Sequence, residues 1–152
     1  MPVEKRDISF YLPEIKDILI DNSGFFKSFI PRDLADATLL WAWTSRTLYR
    51  AFREKNEKMT RILKEYEVTE PVIIFGYYKK GILGRGREDV FVVPEILIKD
   101  ALVAQCIKKN ITIPKNFDKE VTTDDVVINL SIGIGSQEMR FEYPDALEMN
   151  AA

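Results

Sequence analysis

The chain has 152 residues, 46% hydrophobic and 30% charged, with a formal net charge of −2. This fits one folding unit with its own hydrophobic core and excludes wholesale disorder. It contains no histidine and one cysteine, Cys106, which excludes an internal disulfide and a multi-cysteine metal site and removes the commonest general base and metal ligand.

No apolar run approaches the ~20 residues that span a bilayer; the densest, ATLLWAW (37–43), falls far short. The N-terminal MPVEKRDISFYL mixes charges of both signs and lacks a signal-peptide core, so a cytoplasmic protein with no membrane partner is expected. The small net charge hides a division. Across residues 46–87 eleven Lys or Arg stand against five Glu, whereas from residue 110 onward three cations stand against eight acids. A basic face can hide behind such an average.

In chain order, DISFYLPEIKDILI carries a short amphipathic pattern, and DNSGFFKSFIPRD reads as a turn with buried aromatics. Pro31 suits the first position of a helix, with Asp33 and Asp36 near its positive end. From there Leu34, Thr38, Trp41, Ser45, Leu48, Phe52, Lys55, Met59, Ile62 and Tyr66 recur at steps of four and three, and most are apolar. That pattern predicts one helix over residues 31–67 with a narrow seam. At 1.5 Å per residue it would run about 55 Å, whereas a domain of this size is roughly 40 Å across. Such a helix must kink near Asn56 or lie partly against another chain.

Beyond EVTEP the pattern turns extended: VIIFGYY (72–78) and DVFVV (89–93) predict a hairpin with a long loop. Residues 94–110 predict a second helix, apolar on nearly every side and therefore central, with Lys108 and Lys109 at its negative end and Asn110 as a left-handed cap. ITIPKNFDKEVTTDD reads as loop or a short strand. VVINLSIGIG alternates, with Val126, Ile128, Leu130, Ile132 and Ile134 on one face, and MRFEY alternates again after GSQE, predicting a hairpin with one wet face. The expected fold class is α+β. A helical N-terminal half with one long helix (1–67) precedes a small, mostly antiparallel sheet of two hairpins packed on a central helix (71–143), then a tail (144–152), all as one folding unit.

The stretch YYKKGILGRGRED (77–89) concentrates charge and glycine. Gly81, Gly84 and Gly86 let backbone amides approach an anion, with Lys79, Lys80, Arg85 and Arg87 supplying charge. Its spacing is neither the dinucleotide fingerprint nor the Walker pattern. Arg46, Arg50 and Arg53, at helical spacing, are further candidates for contact with a nucleic-acid backbone. Taken alone, the loop reads better as a soluble hairpin turn, with glycines for positive φ and charges that blunt a strand edge. Tyr77 and Tyr78 point to opposite sides of a strand, so one of them belongs to the core.

Leu39, Trp43, Leu48 and Phe52 are the candidate partner interface, since tryptophan is a frequent hot-spot residue. The competing reading has the N-terminal aromatics covering Leu39 and Trp43. IGIGSQE is a turn, TTDD and EYPDALE are solvated acids without calcium-loop spacing, and Cys106 is inert core. Neither the G-x-S-x-G nucleophile motif nor the H-E-x-x-H zinc motif occurs, so no enzyme activity, cofactor or metal is expected. The reading is a non-catalytic subunit or adaptor acting through another protein chain or self-association within a larger assembly. The alternative is a nucleic-acid-associated accessory subunit, such as a small ribonucleoprotein subunit, holding phosphates through its basic middle region.

Overall fold

The chain begins as a strand. In the computed structural model, which describes residues 5–45, 57, 61–67, 70–81, 84–113 and 118–133, β1 (Lys5–Tyr11) runs directly into α1 (Leu12–Asp21). A proline at the start of α1 needs no hydrogen-bond partner there, and Leu12, Ile15, Ile18 and Leu19 form its buried face. Asn22 closes the helix, its backbone N–H (3.1 Å) and its Nδ2 (2.7 Å) both donating to the Ile18 carbonyl. The short α2 (Ser23–Phe26) buries Phe26, and a 3-10 turn, Leu34–Asp36, buries Leu34.

The expected long helix over residues 31–67 is overturned, and with it the helical N-terminal half. β2 (Ala37–Thr44) occupies part of its span, while residues 57 and 61–65 are helical. Residues 46–56 and 58–60 lie outside the described residues. Of the seam residues, Thr38 is exposed and Trp41 half-buried in β2. Ala37 and Leu39 are buried before a register shift between Leu39 and Trp41, Ala42 and Thr44 after it. The shift breaks the period of two that would mark a strand in the sequence.

The expected single sheet of two hairpins on a central helix is also replaced. Two three-stranded antiparallel sheets form, with strand orders β2-β3-β4 and β1-β6-β5. β3 (Val72–Lys79) and β4 (Arg87–Pro94) make the hairpin expected from their sequences, in register from Val72↔Pro94 to Lys79↔Arg87. β5 (Asp118–Asp124) lies in the stretch expected as loop or short strand, and it turns through Asp125 (φ 43°) and Val126 into β6 (Val127–Gly133). Both edges of β6 are taken, by β1 and by β5. The second hairpin is therefore β5–β6, and β6 keeps no edge for MRFEY, a stretch outside the described residues. The two sheets meet where the Ala42 N–H donates to the Asp125 carbonyl (2.8 Å) and the Thr44 N–H to Thr123 Oγ1 (3.0 Å).

The main core lies on one face of β2-β3-β4, where Ile73, Phe75 and Tyr77 meet Phe91 and Val93, and it extends to Ile128, Leu130 and Ile132 of β6. Phe75 and Phe91 stack with ring centroids 4.9 Å apart. On the opposite face Val72, Ile74 and Val92 pack with Ile62 and Leu63, flanked by Trp41 and Trp43. A strand covered on both faces needs no alternation, which is why VIIFGYY reads as a continuous apolar run.

α3 (Glu95–Lys108) follows β4 without a loop. It ends as its sequence predicts: Asn110 takes φ 60°, Ile111 N–H donates to the Cys106 carbonyl (2.8 Å) and Asn110 N–H to that of Ile107 (3.1 Å), a Schellman closure. Its expected central position is corrected. Glu95, Ile98, Leu102 and Cys106 form one buried face, while the opposite side is open to solvent. No helix among the described residues is long and apolar enough to cross a membrane.

Candidate interaction surface

Each glycine at the β3–β4 tip has a conformational reason. Gly84 has φ 79°, a region side chains disfavour. A Cβ on Gly81 would fall 1.8 Å from the Arg85 carbonyl oxygen, and one on Gly86 would fall 1.8 Å from the Tyr78 hydroxyl. The glycines thus shape the turn. Of the four cations, Lys79 is paired with Asp33, and that hydrogen bond holds the Asp33 carboxyl below its ordinary value against the opposing effect of desolvation. Arg87 Nη2 lies 3.6 Å from Asp89 Oδ2. Lys80 and Arg85 are exposed and make no ion pair among the described residues. Tyr77 is the core member of the tyrosine pair, its hydroxyl pushed up by desolvation, and Tyr78 covers Gly86. Arg46, Arg50 and Arg53 lie outside the described residues.

Leu39 and Trp43, two of the residues expected to form a partner interface, are not brought together on a surface. Leu39, 7% exposed, belongs to the main core, while half-buried Trp43 packs on the outer face of β2-β3-β4. Although four apart in sequence, they sit on opposite faces because the register shift falls between them. Leu48 and Phe52 lie outside the described residues.

Where α3 begins, Glu70, Pro71, Glu95, Ile96, Lys99, Lys119 and Glu120 line a cleft of about 240 Å³. Glu95 is only 6% exposed. Thr44 Oγ1 donates to its Oε2 (3.2 Å), and the Glu95 N–H donates to the Pro71 carbonyl (2.9 Å). A carboxylate there complements the positive end of α3 and ties it to β2. The lining supplies carboxylates and ammonium groups but no hydroxyl or thiol nucleophile. Cys106 is fully buried, and desolvation pushes its thiol up, away from the reactive thiolate. Among the described residues no group of three or more His, Cys, Asp or Glu is placed to hold a metal ion.

The open side of α3 presents Ile96 (55% exposed), Asp100, Ala104 and Ile107 (64% exposed), whereas half-buried Val103 packs against the main core. Ile96 and Ile107 stand about 17 Å apart along the helix at 1.5 Å per residue. Sequence reasoning missed this surface because a helix apolar all round reads as central. Asp100 is the signal that finds it: a charge in mid-helix marks a side that no core covers. No protein-family model, no curated protein and no solved structure matches the chain.

Proposed function

We propose that this protein is a non-catalytic subunit or adaptor that works by protein–protein contact within a larger assembly. The observation that supports this reading is the open side of α3, where two large apolar side chains, Ile96 and Ile107, are exposed on a helix whose other side packs on the core. Two such side chains on one side of one helix are places where an apolar partner surface would gain contact. The test is the native mass of the protein recovered from cells that make it, with and without nuclease, for wild type and Ile107→Glu. The expected result is an assembly heavier than the monomer, insensitive to nuclease and lost in the variant at unchanged melting temperature. A wild type that runs as a monomer with no companion chain overturns it.

A further inference from the structure

We infer that this protein pairs with a second copy of itself through β1, the two β1 strands running antiparallel and joining both β1-β6-β5 sheets into one. β1 stands at the edge of its sheet and pairs with β6 along its full length, with no bulge, proline or glycine to break its outer side. The Leu12 N–H donates to the Val126 carbonyl (3.3 Å), one step beyond the Tyr11↔Val127 pair. In an antiparallel ladder alternate residues bond to the same side. Leu12, Phe10, Ile8 and Arg6 therefore bond to β6, and the N–H and C=O groups of Asp7, Ser9 and Tyr11 point outward. Among the described residues nothing pairs with these outward backbone groups. Their side chains leave the edge clear, since Asp7 Oδ1 accepts from Ser131 Oγ (2.7 Å) and Ser9 Oγ donates to Asn129 Oδ1 (2.6 Å), both toward β6.

The match of β1 to itself selects a second copy. A two-fold axis at Ile8 sets Ile8 against Ile8, Asp7 against Ser9, Arg6 against Phe10 and Lys5 against Tyr11. All seven residues then pair, and no like charges stand directly opposite. Asp7 and Ser9 of the two copies exchange N–H to carbonyl bonds, in the phase their outward groups require. Ile8, half-buried against the main core, gains cover from its counterpart. An axis at Asp7 would oppose two carboxylates, one at Arg6 two guanidinium groups, and one at Ser9 would leave part of the strand unpaired. The other edge of the same sheet lacks this match: β5 laid on itself about Val121 sets Asp118 against Asp124 at both ends. This surface is distinct from the open side of α3, and neither reading needs the other.

Sedimentation equilibrium of the purified chain tests the pairing. Wild type should dimerise at about 100 μM. Ile8→Lys and Ile8→Glu each set like charges at the axis and should be monomeric. Their equimolar mixture should associate at least about tenfold more tightly than either does with itself. Recovery in the mixture also shows that the single variants fold. Ser9→Pro removes an outward N–H at an edge position where proline fits and should give a monomer. Ser9→Ala loses the same side-chain bond but keeps the N–H, and should stay dimeric. Ile107→Glu, which removes a companion chain bound at α3, should leave the dimer intact. A wild type monomeric at that concentration overturns the inference. So does a dimer that persists in Ile8→Lys and Ser9→Pro, or one that Ile107→Glu dissolves, because another surface then holds it. A mixture of folded Ile8 variants that does not associate overturns the pairing about Ile8. If those variants do not fold, Ser9→Pro decides alone, and a retained dimer overturns the inference.

Discussion

Replacing Gly76 tests whether the chain covers its own tryptophans. Gly76 is the cross-strand neighbour of Trp41, and a Cβ there would fall 2.1 Å from Trp41 Cε2 and 2.2 Å from Nε1. Gly→Ala in a strand ordinarily gains about 0.4–1 kcal/mol by restricting the unfolded chain. Here the rigid indole must swing away, and over-packing of this kind costs about 1–3 kcal/mol. Trp41 also gives up contacts with the outer cluster around Ile74 and Val92. The clash wins, and Gly76→Ala should destabilise the fold by about 1–2 kcal/mol. Trp41→Ala, at a half-buried position, should cost about 2 kcal/mol, below the range for a fully buried tryptophan. With the indole gone, the added methyl has room, so the double mutant should cost at least about 1 kcal/mol less than the two single costs together. Urea unfolding of the four proteins measures this coupling directly. Additive costs, or a Gly76→Ala protein as stable as wild type, would refute the packing. The same geometry makes Trp43→Ala a change in stability rather than in assembly, since Trp43 lies in that cluster.

Cys106 should be labelled by thiol reagents only as fast as the protein unfolds, because it is fully buried and its thiol is pushed up by desolvation; rapid labelling of native protein at mildly alkaline pH would contradict this. Asp33 has a folded pKa below its ordinary 3.8, through the Lys79 hydrogen bond, so its contribution is present above that value and lost as pH falls through the lower folded pKa. Asp33→Asn should therefore flatten the acid limb of the stability curve slightly, and a steeper acid loss in the variant would reverse the assignment. With Lys79 and Arg87 engaged by acids and Lys80 and Arg85 left over, the hairpin tip should contribute a slope no steeper than about −1.8 in log affinity against log salt for duplex DNA, at roughly −0.9 per phosphate. A fluorescence-anisotropy titration that loses a slope near −3.6 when all four cations are replaced would show instead that all four engage.

What the sequence made legible was local. The β3–β4 hairpin, the alternation of β6 and the Asn110 closure of α3 are each written within a few residues. β1 and β5 are not. β5 has one fully buried side chain, Val121, in seven residues, and its place comes from register against β6. β1 pairs with β6 across most of the chain, as the Ser9 Oγ to Asn129 Oδ1 hydrogen bond shows (2.6 Å, 120 residues apart). Such edge strands are specified by the partner they find, beyond the reach of a local pattern. The open side of α3 is hidden for a related reason: its apolar residues can be read in the sequence, but which side of the helix the core takes is decided by the tertiary fold.

The treatment of the edges of β2 and β4 explains why neither is a surface to test, in contrast to β1 and the open side of α3. An unpaired edge recruits other strands unless something blunts it. On β2 the outward N–H groups of Ala42 and Thr44 are taken by the β5–β6 turn region. On β4 the Val90 N–H is accepted by Asp89 Oδ1 (2.8 Å) and the Val90 carbonyl receives the Tyr66 hydroxyl (3.4 Å). Desolvation, with the Asp89 charge beside it, pushes that hydroxyl up and keeps it a donor. At these positions the edges of β2 and β4 are closed by the chain's own groups. The other exposed apolar side chains are local: Phe25 lies edge-on against Phe26 (5.2 Å), Phe29 stands in the turn where its N–H donates to the Phe26 carbonyl (2.8 Å), and Tyr11 and Val126 flank the Leu12 N–H to Val126 carbonyl contact (3.3 Å). Among the described residues, two large exposed apolar side chains, Ile96 and Ile107, stand on the open side of α3 with the exposed carboxylate of Asp100 between them, so Ile107→Glu is the substitution that tests this face most directly.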